Sequence, residues 1–330
     1  MTRALSAPAA RHLLGRLAAT VAMLLAVSAL TFAVFYLLPS GIDPAVLRAG
    51  RDPTPARVAA ARAALGLNHS VLEQFAIYLR HLVLHGDLGR SYTYDAPVGR
   101  LILARLPATA ALVLGGALLW VTGAIAVGAG AAARRGRAFD RAAMGTALVL
   151  VSAPIYWLGL VALALFASDV GRFALLPGYA SYPSHPLSHP GAWLGSLVLP
   201  WLVMAASFGA VYARLVRAGV LDALGSEPVR TARAMGISER RVVLGHALPL
   251  ALGPVIALLG VDVGLLLGGA VLTETVFGIP GVGGLAVDAI HRSDLPVIQG
   301  TVLMGAVLVV AGNALADLAL GRLDPRLGRP

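Results

Sequence analysis

The sequence of 330 residues contains no cysteine and no lysine. Without cysteine the chain can form no disulfide bond, no thiol nucleophile and no cysteine-ligated zinc site. All 26 basic residues are arginine, whereas a Walker A loop needs a lysine to reach the β- and γ-phosphates of ATP. The chain is therefore predicted not to be an ATP-hydrolysing enzyme, and any ATP hydrolysis linked to it would belong to another chain.

Charge is also scarce. Charged residues make up 13% of the chain and hydrophobic residues 58%, with a mean hydropathy of +0.80, while soluble domains are about a quarter charged. This surplus of apolar residues indicates lipid as the solvent. The formal net charge of +10 is clustered between apolar runs rather than along one stripe, so nucleic acid is not predicted as a partner.

Six stretches have the roughly 20 mostly apolar residues that a transmembrane helix needs. They are Leu17–Leu38, Leu106–Ala133, Ala142–Ala167, Trp193–Ala213, Leu248–Thr273 and Leu295–Leu320. The first follows a basic start that would also suit a signal peptide. Its apolar run is too long for one and no small-residue cleavage site follows, so an uncleaved helix is predicted. Pro154 and Pro200 lie inside the third and fourth stretches, where neighbouring helices can accommodate proline.

Arginine clusters predict the orientation. They lie in the N-terminus, in the loops after the second and fourth helices and at the C-terminus, while the opposite short loops carry Arg172 and Arg292. By the positive-inside rule both termini are predicted to be cytoplasmic. Segment 39–105 is then external; its eight arginines do not contradict this, because segments longer than about 60 residues translocate largely regardless of charge.

Helix signals within 39–105 predict an external helical insertion. Thr54 followed by Pro55 is a helix start, and a helix is predicted over 55–65. Ser70 and Glu73 fit a capping box that starts a second helix, which Gly86 ends. The apolar residues on one face of this second helix are Leu72, Phe75, Leu79, Leu82 and Val83. This stripe would either pack against the membrane domain or form part of a docking surface for an external partner.

The loop 221–249 between the fourth and fifth helices is predicted to be structured. Ser226 can cap a short helix that has Pro228 in its first turn and Gly236 at its end. Ser238 can cap a second helix, which begins at Glu239 and runs into the membrane. A short helix that projects from a membrane domain suits insertion into a groove on another protein.

This loop resembles the cytoplasmic coupling motif of ABC importer permeases. The run Val-Arg-Thr-Ala-Arg-Ala-Met-Gly-Ile-Ser-Glu-Arg-Arg-Val at 229–242 is similar to the variant of the dipeptide/oligopeptide/nickel subgroup, although Arg230, Thr231 and His246 stand where the general pattern has Glu, Ala and Ile. Further motifs follow the order of that subgroup, and the insertion resembles that of the first of its two permeases. These motifs are Gly86–Ser91, Arg105–Thr109, Leu176–Tyr179, Glu274–Gly283 and Leu323–Arg326.

The resemblance implies an all-α polytopic membrane protein with the six-helix fold of type I ABC importer permeases. Residues 1–38 would form the cytoplasmic N-terminus and first helix, 39–105 the external helical insertion, and 106–330 the permease core with its coupling loop. The implied partners are a second permease subunit, two ATPase subunits or a fused ATPase, and an external solute-binding protein. ATP and Mg²⁺ would lie on the ATPases, with no cofactor on this chain, in the plasma (inner) membrane of a bacterium.

The resemblance also implies which residues couple the chain to the ATPase. They are Glu227, Arg230, Thr231, Ala232, Arg233 and Gly236. Gly236 would supply a turn with positive φ, and the arginines would meet acidic or carbonyl groups of the ATPase. Within the subgroup di- and oligopeptides are the broadest class of substrate, and nickel or another small solute is the alternative.

Acidic residues in apolar runs are candidates for the substrate pathway, because an acid in the membrane costs a few kcal/mol. Asp262 would face the pore or bond to a neighbouring helix, and Glu274 would lie at the pore mouth or be solvated at the interface. Asp317 is predicted to be structural. His185 and His189 could ligate a metal but are predicted to be surface residues, so no metal site is expected. A proton-coupled secondary transporter, with Asp262 and Asp317 as a relay, is the alternative from a different class; it leaves loop 221–249 unexplained.

Overall fold

The computed structural model describes residues 7–37, 44–49, 53–64, 67–183, 188–268 and 270–323. Within these ranges the regular secondary structure is helical, apart from isolated β-bridges at Arg90–Pro97 and Ala167–Leu176, which confirms the predicted all-α class. In chain order the helices are α1 (Ala7–Leu37), α2 (Pro44–Ala49), α3 (Pro55–Ala64), α4 (Val71–His85), α5 (Val98–Ala133), α6 (Ala138–Ser152), α7 (Ile155–Phe166), α8 (Pro190–Leu224), α9 (Glu227–Ala234), α10 (Glu239–Val242), α11 (Leu248–Leu267), α12 (Val271–Phe277), α13 (Val282–His291) and α14 (Leu295–Leu323). A π-helical turn, Val243–Ala247, joins α10 to α11.

Four helical stretches are long and apolar enough to cross a membrane: Val98–Ala133, Pro190–Leu224, Glu239–Leu267 and Leu295–Gly321. The pairs α6–α7 and α12–α13 also qualify when each is taken together, but they are bent by 105° and 87°. Helix α1 contains a shorter apolar stretch, Ala18–Ala33. The six predicted spans correspond to α1, the four long stretches and the α6–α7 pair, so the chain is a polytopic membrane protein.

The third predicted helix is broken at Pro154. Proline disfavours the α conformation of the residue before it, and Ala153 is extended, with φ −90° and ψ 129°. The prediction of one continuous helix over Ala142–Ala167 is therefore wrong. By contrast, Pro107 in α5 and Pro200 in α8 are accommodated within continuous helices.

The fifth predicted helix ends earlier than expected. Helix α11 stops at Leu267 and is followed by Gly268, and the chain then turns at Ala270, which has φ −75° and ψ 52°. Thr273, the predicted end of this helix, lies instead in the separate short helix α12.

Two pairs of long helices, α5 with α8 and α11 with α14, form the centre of the bundle, and α11 also contacts α5 and α8. Small residues allow α11 and α14 to touch through their backbones, as is common in membrane proteins. A Cβ atom at Gly264 would lie 2.9 Å from Val309 Cα, and one at Gly268 would lie 2.8 Å from Gly305 Cα. These two helices are therefore in contact at atoms that cannot move aside.

The predicted helix signals of the insertion are confirmed. In α4, Ser70 and Glu73 form both hydrogen bonds of the capping box, and Gly86 ends the helix in the left-handed conformation at φ 61°. The apolar stripe of α4 is packed only in part. Phe75 contacts Phe32 of α1 at a ring-centroid distance of 5.1 Å, whereas other members of the stripe are exposed. Leu72 is 81% exposed and Val83 71% exposed, so a docking role for this helix stays a prediction.

One end of the bundle, here called the insertion end, is formed by residues 67–97, 168–183 and 270–294. There the carboxylate of Asp294, which is fully buried, accepts hydrogen bonds from the Ser91 hydroxyl and from the backbone N–H groups of Tyr92 and Thr93 at 3.1 and 3.0 Å. These bonds hold the end of the insertion against the start of α14. The opposite end, here called the arginine-rich end, contains residues 134–141 and 214–241.

The glycine contact between α11 and α14 gives a testable pair of variants. Gly264→Ala forces α11 and α14 apart, and we expect it to destabilise the purified protein by about 1–3 kcal/mol. Gly253→Ala, in the same helix but with no atom within 4 Å of its Cβ, should be neutral or slightly stabilising, because alanine is the better helix former. Thermal unfolding in detergent compares the two, and equal melting temperatures would contradict this account of the packing.

Candidate functional site

The arginine-rich end is held together by a two-pronged ion pair. Arg217 on α8 donates to Asp140 on α6 through Nε at 2.6 Å and Nη2 at 2.9 Å. The backbone N–H of Gly136 donates to the same carboxylate at 2.9 Å, and Asp140 is buried. A planar guanidinium matched to a carboxylate in this way fixes geometry as well as charge, so loop 134–137 is fixed to α8.

Helix α9 begins where the sequence predicts. Ser226 has the extended backbone of an N-cap residue and Pro228 lies in the first turn. The Ser226 hydroxyl does not cap α9; it donates to the Ala223 carbonyl oxygen at 2.6 Å. This bond ties the start of α9 to the end of α8.

One face of α9 is buried and the other is open. Val229 is fully buried and Ala232 is 1% exposed, whereas Glu227, Arg230 and Thr231 are exposed. Ala232 packs into its own chain, and its place on the coupling surface stays a prediction. The i,i+3 spacing of the two small apolar residues was the signal for an inward face.

The turn after α9 requires glycine. Gly236 has φ +76°, as predicted, and no atom lies within 4 Å of a Cβ built there. The requirement is thus conformational rather than steric. Met235, immediately before it, is 68% exposed. An exposed methionine is typical of adaptable binding surfaces, and no sequence pattern around Met235 indicates its exposure.

Arg233 is already engaged within the chain. Its guanidinium donates to Glu239 at 2.6 and 3.1 Å and to the Leu224 carbonyl oxygen at 3.2 Å. These bonds join α9 to α10 and to the end of α8. An ATPase that used Arg233, as predicted, would have to share or displace these partners.

A π-helical turn, Val243–Ala247, connects α10 to the long helix α11. Such turns are rare and occur frequently at functional sites. The sequence predicts a helix that starts at Glu239 and enters the membrane, but no local signal indicates the π turn. His246 lies in it and is half-buried.

Asp262 on α11 is half-buried and accepts a hydrogen bond from the Tyr212 hydroxyl on α8 at 2.8 Å. Of the two predicted roles, the structure contains the bond to a neighbouring helix. This bond uses one oxygen of the carboxylate, so it does not exclude a role in the substrate pathway, which stays a prediction.

Glu274 is not solvated at the end of a membrane helix. It lies in α12, is 1% exposed, and accepts hydrogen bonds from the Thr109 hydroxyl at 2.6 Å and from the Gly284 N–H at 2.8 Å. The Thr109 oxygen in turn accepts the Val282 N–H at 2.9 Å. Of the two predicted alternatives, solvation at the interface is therefore wrong, because Glu274 joins α5 to α12 and α13 inside the chain. Its place in the substrate pathway stays a prediction.

The remaining candidates lie apart from these groups. Asp317 is exposed on α14, and His189 directly precedes α8. His185 lies outside the described residues. In the part of the chain that the structure describes, no three His, Cys, Asp or Glu side chains are grouped so that they could hold a metal ion.

Several long apolar helices, with a short helix anchored at one end of the bundle, define the class of polytopic membrane proteins. Residues 124–329 match the model of the family described as binding-protein-dependent transport system inner membrane component, and residues 9–113 match the model of its N-terminal region. The chain belongs to this family, the permeases of ABC importers.

Relatives cover almost the whole chain. A putative peptide transport system permease protein of Brucella abortus is 38% identical over 96% of this chain and 98% of its own length. The dipeptide transport system permease protein DppB of Escherichia coli K12 is 34% identical over the same shares. The di/tripeptide transport system permease protein DppB of Pseudomonas aeruginosa is 37% identical over 94% of this chain and 97% of its own.

The buried face of α9 can be tested with two alanines of the same helix. Ala232→Leu inserts three carbons where there is no space, and we expect a cost of about 1–3 kcal/mol that loosens α9 from the bundle. Limited trypsin digestion should then cleave after Arg230 and Arg233 several-fold faster than in the wild type. Ala234→Leu, on the exposed side, should leave the cleavage rate unchanged, and equal rates for both variants would contradict the assigned face.

Proposed function

We propose that this chain is the transmembrane permease subunit of an ATP-driven, binding-protein-dependent importer of di- and oligopeptides. Membership of the permease family supports the transport role, and the relatives whose names specify peptide, dipeptide or di/tripeptide transport support the substrate class. The observation that carries the proposal is α9, a short helix anchored by one face and exposed on the other at the end of a membrane bundle.

In this proposal α9 is the element that receives the ATPase. Its exposed face combines the charges of Glu227 and Arg230 with the apolar side chain of Met235. Such a face suits a groove on a partner protein. The apolar side chain would contribute affinity, and the charges would fix the position of the helix in the groove. ATP and Mg²⁺ are held by two ATPase subunits or a fused ATPase, and this chain supplies the docking helix.

A movement of α9 would reach the membrane-spanning helices through the chain that connects them. Helix α9 is joined through the Gly236 turn, α10 and the π turn to α11, and the Arg233–Glu239 pair makes α9 and α10 one unit. Closure of the ATPases displaces this unit and, with it, α11. We infer that this displacement switches the pathway between inward-facing and outward-facing states.

The proposed assembly contains a second permease subunit and an external solute-binding protein. When the bent α6–α7 pair is counted with the four long stretches, these five spans alternate in direction between the insertion end and the arginine-rich end. The positive-inside rule assigns the arginine-rich end to the cytoplasm. Both termini are then cytoplasmic, the insertion faces the binding protein, and the chain spans the plasma membrane of a bacterium.

Uptake of a labelled di- or tripeptide by cells that express the full transporter, with and without this chain, tests the proposal. Uptake that depends on the chain supports a peptide importer. If the complex assembles but takes up no peptide, the peptide assignment is wrong, and the same cells assayed with ⁶³Ni²⁺ test the alternative substrate.

Coupling through α9 predicts a specific pattern at Gly236. A β-branched residue is strained at φ +76°, whereas asparagine enters the left-handed region readily. We expect Gly236→Val to reduce peptide uptake at least about tenfold, by misplacing α9, with the chain still inserted and paired with its partner permease. Gly236→Asn should retain most of the uptake, and a Val variant that is well expressed and transports normally would refute the role of the turn.

A further inference from the structure

Asp262 lies deep within the membrane bundle. Its partner Tyr212 is about 18 Å along the helix axis from the end of α8 at Leu224, at 1.5 Å per residue. Tyr212 is fully buried, while Asp262 is only half-buried. Asp262 is therefore bonded to α8 through Tyr212 and keeps part of its surface exposed.

The second carboxylate oxygen of Asp262, Oδ1, has no hydrogen-bond donor among the described residues. Among the described residues the Tyr212 hydroxyl is its hydrogen-bond donor, and that bond goes to Oδ2. Carboxylates in membrane helices face a partner or a polar pathway rather than lipid, because lipid exposure costs several kcal/mol. One neutral hydroxyl does not balance an ionised carboxylate, so the charged form of Asp262 needs a further donor or a positive charge from outside these residues.

Aromatic rings surround the bond to Tyr212. Trp120 on α5 packs against Phe208 at a centroid distance of 5.0 Å and against Tyr212 at 6.2 Å, and both of these partners lie on α8. Trp120 is 1% exposed and Tyr212 is fully buried, so these rings fix the position of the Tyr212 hydroxyl and are not open to a ligand. The group here that suits an organic ammonium ion is the partly exposed carboxylate of Asp262.

We propose that Asp262, held by Tyr212, binds the protonated amino group of a peptide as the peptide passes through the transporter. This inference rests on the proposed function, since it names a contact for the proposed substrate. The α-amino group of a peptide has an ordinary pKa of about 7.7–8.0 and is mostly charged at pH 7. A metal ion fits less well, because the described residues bring no cluster of three metal-ligating side chains together and a bound divalent ion needs several.

Proteoliposomes that contain the full transporter, with the binding protein saturated with a labelled dipeptide, provide the test. Asp262→Asn keeps the size of the side chain and its bond to Tyr212 but removes the charge. We expect kcat for uptake to fall about tenfold while the KM for the loaded binding protein stays within about twofold. Asp262→Glu should recover part of kcat. Val261→Asn, an exposed neighbour on the same helix, is the matched control and should behave as the wild type.

A cross-linking experiment distinguishes direct contact between Asp262 and the peptide from a purely structural role of Asp262. A hydrophobic carbodiimide converts a carboxylate to an O-acylisourea, and a primary amine held beside it then forms an amide with release of the urea. Mass spectrometry of the treated, peptide-loaded transporter should find the dipeptide attached at Asp262, and no attachment with the N-acetylated dipeptide.

Three results would overturn the proposal. The first is a wild-type kcat in Asp262→Asn, and the second is attachment of the dipeptide only at other carboxylates. The third is loss of the partner permease from the purified Asp262→Asn complex, which would mean that Asp262 contacts the partner subunit instead of a peptide. A wild-type transporter that takes up no dipeptide would instead refute the peptide function itself.

Discussion

Close contact between helices at glycine is the interaction on which the rest of this structure depends. In lipid, apolar side chains gain nothing by leaving their surroundings, so helices associate through van der Waals contact and hydrogen bonds. Gly264 and Gly268 bring α11 to within contact of the backbone of α14. In the other pair, Gly128 of α5 lies so close to α8 that a Cβ would be 2.8 Å from Val216 Cβ. These contacts fix the depth of each helix and hence the place of the loops at both ends.

Buried carboxylates complete the two ends of the bundle. Glu274 and Asp294 each accept a hydroxyl and backbone N–H groups at the insertion end. Asp140 accepts an arginine fork and an N–H at the arginine-rich end. A buried acid is tolerated when its oxygens are satisfied, and these three are held by several donors each. Asp262 differs because it lies between the ends and has one donor among the described residues, the Tyr212 hydroxyl. The proposed peptide amine would meet its other oxygen.

Local chemistry was predictable and tertiary contact was not. The capping box at Ser70 and the positive φ of Gly236 follow from side-chain reach and glycine freedom over a few residues, and both are present. The sequence does not distinguish Pro154, which breaks its helix, from Pro200, which does not. The difference lies in how neighbouring helices satisfy the backbone carbonyl that a proline leaves without a hydrogen bond. The burial of Glu274 depends on Thr109, which is 165 residues away in the sequence. The buried face of α9 depends on the helices that it packs against. Neither feature can be predicted from the local sequence.

The structure connects the proposed coupling helix with the proposed substrate contact. Helix α9 continues through the π turn into α11, which carries Asp262, and glycine contacts hold α11 to α14. Tyr212 belongs to α8, which is paired with α5. In the proposed mechanism a displacement of α9 acts on α11, which follows it in the chain, and on the end of α8, to which Ser226 and Arg233 bond. The Tyr212–Asp262 bond joins α8 to α11, so a motion of one of these helices relative to the other would change how firmly Asp262 is held. Binding and release of a peptide amine would then follow from the state of the ATPase without any further moving part.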